Sequence, residues 1–274
     1  MIVDALDIAP LPPEEAIAWF KAKGFRISWD WHEMWQADHA RAFTVAKVAK
    51  VDILQDIFSA LDKAQSDGIT FETFRKELTP LLQSKGWWGR QEAVNLTTGE
   101  LKTVQLGSPR RLRTIFNVNV QTALQVGHYR AMTDPAVLAA RPYWRYSAVM
   151  DGHTRPMHRQ WHGLILPADH PFWATHFPPN GWNCRCTVVS MSLREMARDG
   201  LKVSEPPEIK MYKWVNPAIG GEKWIPQGID AGWDYNPGTS ANAHIRQVAE
   251  DTAKQATQQI GWALLNDLKK AEAL

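Results

Sequence analysis

The residues able to do chemistry crowd between Asp151 and Cys186. That stretch holds Asp151, His153, His158, His162, His170, His176, Cys184 and Cys186, which is five of the nine His and both Cys of the sequence. His158 and His162 are four apart and share a face if the segment is helical, and Cys184 and Cys186 share a face of a strand. Two imidazoles and two thiolates make a tetrahedral zinc set, so His158, His162, Cys184 and Cys186 are candidate ligands of a structural zinc. The Cys-x-Cys spacing is tighter than the usual Cys-x2–4-Cys of such sites. The competing reading is a loop-rich module with no cofactor, its Cys buried and its His hydrogen-bonded. Cys184 or Cys186 with His158 and Asp151 also supplies the parts of a thiol hydrolase, but no oxyanion loop or nucleophile turn accompanies them.

The 274 residues, 45% hydrophobic and 22% charged, describe a globular chain with room for one large domain or two smaller ones. A net charge of +2 argues against a dedicated nucleic-acid binder. Two Cys one residue apart form no disulfide framework, and a bridge between them would be strained. The first thirteen residues carry Asp4, Asp7 and three prolines with no basic region, unlike a signal peptide. No stretch approaches the roughly 20 apolar residues of a membrane span, so the cytoplasm is the expected compartment. Fourteen Trp are far more than this length ordinarily carries.

Periodicity supplies the elements that must position these groups. Pro12-Pro13-Glu14-Glu15 opens a short helix that Gly24 ends. A long helix is predicted from about Trp31 to Gln65, with Ala46, Ala49, Ile53, Ile57, Leu61 and Ala64 as its stripe. Thr70 caps a further helix whose face is Phe71, Phe74, Leu78 and Leu81, and Pro80 should kink its last turn. Thr97-Thr98-Gly99-Glu100 reads as a hairpin turn. Ser108-Pro109 starts a helix that runs to Thr133, with Arg110, Arg111 and Arg113 at its opening. That basic cluster is either a solvated face or a contact with DNA or an acidic partner. Tyr143–Met150, Gly163–Pro167 and Thr187–Met191 are strand candidates. Ser192 caps a short helix, residues 206–238 form an irregular Trp-anchored arm, and Ser240 caps a last helix striped by Ile245, Val248, Thr252, Ala256, Ile260 and Leu264.

The ordered run of local motifs carries a family resemblance. Asp151-Gly152-His153-Thr154-Arg155-Pro156-Met157-His158 is followed by Trp161-His162-Gly163 and Asp169-His170-Pro171-Phe172-Trp173. Pro178-Pro179-Asn180-Gly181-Trp182-Asn183-Cys184-Arg185-Cys186 completes it. Together with the Phe74–Trp88 segment and the Arg111–Tyr129 helix, this resembles the phage head morphogenesis domain of the phage Mu protein F-like minor head proteins, over roughly residues 70–195. The resemblance implies a structural, non-enzymatic protein of a tailed phage or prophage. It also implies association with the portal and inner capsid, a role in head morphogenesis and DNA packaging or delivery, contact with packaged DNA, and residence in the virion after assembly in the host cytoplasm. It implies neither a membrane nor a small-molecule partner. The alternative is a metal-dependent or thiol hydrolase, related to toxins, built on the His/Cys cluster.

The expected architecture is α+β. A helical N-terminal region covers 1–88. A small loop-rich head-morphogenesis module with a short sheet covers 89–200. An extended Trp-rich arm and C-terminal helix cover 201–274. Trp144, Trp161, Trp173 and Trp182 are expected to pin loops of the module, and Trp214, Trp224 and Trp233 to meet a partner.

Overall fold

In a computed structural model, which describes residues 14–36, 38–95, 98–217 and 220–255, helices and four small sheets surround two large hydrophobic cores that share one helix, with a small third cluster of Ile165, Met191 and Met196. The mixed α+β class read from the sequence is the class observed.

The first core collects the apolar faces of α1 (Glu14–Lys21), α3 (Val51–Ser66) and α4 (Phe71–Ser84) against α5 (Pro109–Thr133). In α3 the buried side chains are Ile53, Leu54, Ile57, Leu61 and Ala64, the helical spacing that predicted it. The helix begins only at Val51, however, and the single helix expected from Trp31 is broken. Asp30 and Glu33 close a capping box on a one-turn 3-10 helix, Trp31–Glu33. α2 is confined to Asp38–Arg41, and Ala42–Phe43 (β2) pairs in parallel with Gly24–Phe25 (β1). Gln36 and Lys47 take positive φ, which no helix accommodates. Thr70 Oγ1 accepts the Thr73 N–H and opens α4, which continues through Pro80 to Ser84. Leu82 rather than Leu81 is buried in its last turn.

A hairpin of β3 (Arg90–Val94) and β4 (Leu101–Gln105) leads into α5, as the Gly99 turn predicted. Ser108 Oγ accepts the Arg111 N–H and caps α5. Arg111 is not a solvated cation: it donates to the carbonyls of Leu106, Gln105 and Ala46 and lies over the Trp87 ring. Arg113 reaches Glu72 at 3.3 Å and covers Phe71. α6 (Pro135–Ala140) follows, with Asp134 capping it.

The second core lies under a three-stranded antiparallel sheet ordered β6-β5-β7, with β5 at Tyr143–Ser147, β6 at Ile165–Pro167 and β7 at Thr187–Met191. Between the strands run two short helices, α7 (Pro156–Trp161) and α8 (Trp173–His176). After the sheet comes α9 (Leu193–Arg198), which Ser192 and Glu195 cap reciprocally. The Trp-rich arm contains two strands that the sequence did not signal, β8 (Met211–Val215) and β9 (Glu222–Pro226), paired as a hairpin. Ile225, Ile229 and Trp233 enter the second core, and Trp214 stacks on Trp35 at 4.8 Å. Trp214 and Trp233 are therefore internal anchors, not partner contacts, whereas Trp224 is 63% exposed. The last helix, α10 (Pro237–Gln255), starts before Ser240, because the Asn236 carboxamide caps it by accepting the N–H groups of Gly238 and Thr239. Beyond its first turn, Ala241, His244 and Ala253 are buried, while Val248 and Thr252 of the predicted stripe face outward and the Ile245 side chain lies outside the described residues. Ala256, Ile260 and Leu264, like the N-terminal residues 1–13, lie outside the described residues. Among the described residues no helix is long and apolar enough to cross a membrane.

Lys23 is a buried amine beside the first core, and among the described residues no carboxylate pairs with it. Lys23 is 8% exposed, with Nζ 4.1 Å from the Trp19 ring centroid, and burial pulls its pKa down to about 7 from an ordinary 10.5. Between about pH 7 and 10.5 the unfolded chain then holds the proton that the folded chain has lost, so stability rises with pH across that window. Lys23→Met should raise the melting temperature at pH 7 and have much less effect at pH 10. An equal gain at both pH values in thermal melts would count against a neutral buried amine.

Candidate metal centre

Three of the four sequence-predicted ligands meet in the second core. His158 sits on α7, a helix that Pro156 opens at its first position. Cys186 immediately precedes β7, and Cys184 ends the turn that closes on Gly181, its N–H donating to the Gly181 carbonyl at 3.1 Å. Asn183, at φ 55°, makes the left-handed step that turns both thiols inward, a backbone state asparagine tolerates better than most residues. His158 Nδ1 lies 3.4 Å from Cys186 Sγ and 3.8 Å from Cys184 Sγ. His158, Cys184 and Cys186 are 2%, 5% and 3% exposed.

The fourth candidate is elsewhere. His162 is exposed, and its Nδ1 accepts the Ala148 N–H at 3.1 Å. The sharing of a face by residues four apart fails because α7 ends at Trp161, leaving His162 in an extended step beyond it. The remaining His of the stretch have other duties. His170 Nδ1 accepts the Phe172 N–H, and His176 stacks on Phe172 at 4.1 Å, with burial lowering its pKa to about 4. His153 is exposed.

The two thiols bias each other in opposite directions. A hydrogen bond from Cys186 holds the Cys184 thiol well below its ordinary pKa, with His158 adding to the effect, and the same contact pushes Cys186 up. Tyr146, on β5, is pushed up by burial and by the Cys184 charge; its hydroxyl donates to Asn180 Oδ1 at 2.8 Å. Asp151 does not complete a Cys–His–Asp relay. Its two carboxylate oxygens take Arg185 Nη1 and Nη2 at 2.7 Å each, which holds its pKa far below the ordinary range. His158 turns its other nitrogen, Nε2, to the Gly228 carbonyl at 2.9 Å.

The supporting shell comes from the arm, and spacing within residues 151–186 gave no sign of it. Asp230 accepts Arg155 Nη2 at 2.7 Å and the Trp182 N–H at 2.9 Å, and its own N–H donates to the Asn180 carbonyl. Asp230 thus binds the loop that carries both Cys, and Gly228 binds the helix that carries His158. No local signal in the sequence marks these partners; only Gly228, at φ 92°, is a residue type that hints at a constrained turn. Pro178–Pro179 is cis.

A family model described as phage Mu protein F like protein matches residues 55–189, which include all three clustered ligands. A protein named for capsid assembly, protein F of Escherichia phage Mu, is 42% identical over 289 residues, covering 98% of this chain and 64% of its own length. The Mu-like prophage FluMu F protein of Haemophilus influenzae is 36% identical over 268 residues, covering 90% of this chain and 62% of its own. The chain therefore spans less than two thirds of either relative. No solved structure matches the chain significantly.

Proposed function

The chain belongs, through residues 55–189, to the phage Mu protein F-like family, and from that premise we propose that it is a minor head protein of a Mu-like tailed phage or prophage that acts in head morphogenesis. The observation that carries this reading is 42% identity to the phage Mu protein F over nearly the whole chain. The protein is structural rather than enzymatic. Asp151 turned to Arg185 and His158 turned to Gly228 leave no assembled relay for a thiol hydrolase. It docks on the portal and inner capsid, enters the virion after assembly in the host cytoplasm, and meets DNA during packaging or delivery. Neither a membrane nor a small-molecule substrate enters this reading.

A surface suited to docking is the outer face of the β8–β9 hairpin. Strand alternation puts Met211 and Val215 on the face opposite Tyr212 and Trp214, and Trp224, paired with Lys213, joins them there. Met211, Val215 and Trp224 are 45%, 55% and 63% exposed. The same face carries the Lys213–Glu222 ion pair, and an exposed Trp is the residue type that dominates interface energies.

Procapsids purified from induced cells test the reading. The chain should sediment with them and with the portal, and its absence from both procapsids and virions would overturn the proposal. Trp224→Ala should lower its incorporation roughly 10-fold or more while leaving its melting temperature within a degree or two of the parent, since the ring is outside both cores.

A further inference from the structure

We propose that His158, Cys184 and Cys186 bind a zinc ion that ties α7 and the start of β7 to the arm. The three donor atoms all lie within 4.8 Å of one another. An ion bonded to nitrogen at about 2.0–2.1 Å and to sulfur at about 2.3 Å bridges such a triangle with small side-chain shifts.

The orientation of the imidazole is the strongest argument. Nε2 faces a carbonyl, the oxygen of Gly228, at 2.9 Å, so the proton belongs on Nε2 and the lone pair on Nδ1. Nδ1 is the atom aimed at both sulfurs. A ligating His commonly donates its second N–H to a carbonyl in this way, which fixes the tautomer and strengthens the donor. Soft thiolates with one imidazole select zinc over magnesium or calcium, which favour oxygen.

Among the described residues no further His, Cys, Asp or Glu joins the three, so water completes a tetrahedral ion. His162 is excluded by its distance from the cluster and by its bond to Ala148. Through Gly228 the ion would hold residues of the arm against residues 26 and 28 positions apart in the module.

The full chain, purified without added metal, is expected to carry about one zinc per chain by elemental analysis. Exchange with cobalt should give a thiolate-to-cobalt charge-transfer band. Cys184→Ser, Cys186→Ser and His158→Gln should each weaken metal binding by at least ~100-fold and remove the band, and His162→Gln should keep it. Absence of the band from the parent chain in excess cobalt overturns the proposal without recourse to any variant that fails to fold. So does a Cys184–Cys186 disulfide in the purified chain, or equal zinc retention by the Cys184→Ser Cys186→Ser double variant.

Discussion

Trp144→Ala is expected to lower the unfolding free energy by about 3–5 kcal/mol, the range found for removing a large aromatic from a core. Trp144 is 2% exposed in the middle strand of the β6-β5-β7 sheet. Its ring meets Tyr129, Trp173 and Phe177 edge-on at centroid distances of 5.8, 5.7 and 5.6 Å, so truncation leaves three rings facing a void. Relaxation cannot close it cheaply, because Tyr129 is held by α5 and Trp173 by its indole N–H, which donates to the Pro167 carbonyl at 2.9 Å. A second variant separates volume from polarity. Among the described residues the buried Trp144 indole N–H has no hydrogen-bond partner, and an unsatisfied donor costs roughly 1–3 kcal/mol. Trp144→Phe removes that donor while keeping an aromatic ring, so it should cost less than half of what alanine costs. Urea unfolding monitored by far-ultraviolet circular dichroism measures both; an alanine variant within ~1 kcal/mol of the parent would contradict the packing described.

Gly228→Ala should be nearly as damaging, for a different reason. At φ 92° the backbone is in a region that a Cβ disfavours, at a cost of about 1–3 kcal/mol. The added Cβ would also stand 2.6 Å from Met157 Cβ and 2.8 Å from the Trp161 ring, closer than atoms pack. Relief requires the turn to move off α7, and that carries the Gly228 carbonyl away from His158 Nε2. A loss of about 2–5 kcal/mol is expected from strain and overpacking together. Limited proteolysis should show cleavage within the arm before cleavage of α5. A variant as protease-resistant as the parent would show that the turn can shift without releasing the arm.

Much of the frame was legible because single side chains dictate it. Ser108 before Pro109 marked the start of α5 to the residue, Thr70 that of α4, and Thr187–Met191 was read as the strand it is. The expected helix across 31–50 failed because an apolar spacing cannot reveal a capping box at Asp30 and Glu33 that starts a separate turn, or the positive φ of Lys47. The β8–β9 hairpin escaped because its strands mix Lys, Trp and Met without a strong alternation of polarity; their pairing is imposed by Ile225 and Trp214 packing on the second core. At the candidate centre, residue types alone found His158, Cys184 and Cys186. Placing His162 needed the end of α7, and the roles of Gly228 and Asp230 needed the fold, since they come from 70 and 75 positions beyond their partners His158 and Arg155.

Helix α5 presents Leu112, Ile115, Ala123 and Val126 to the first core and packs Val118, Tyr129 and Met132 into the second. One consequence concerns exchange of coding sequence between related genes. A crossover that falls in the 86–108 connection would deliver a foreign α5 to a resident first core, and the four side chains it buries there would have to suit α1, α3 and α4 from the other parent. A crossover beyond Thr133 would put the mismatch at Tyr129 and Met132 instead. Either junction divides a set of contacts that fit only as a set, so hybrids should survive where the parents agree along α5 and fail where they differ there.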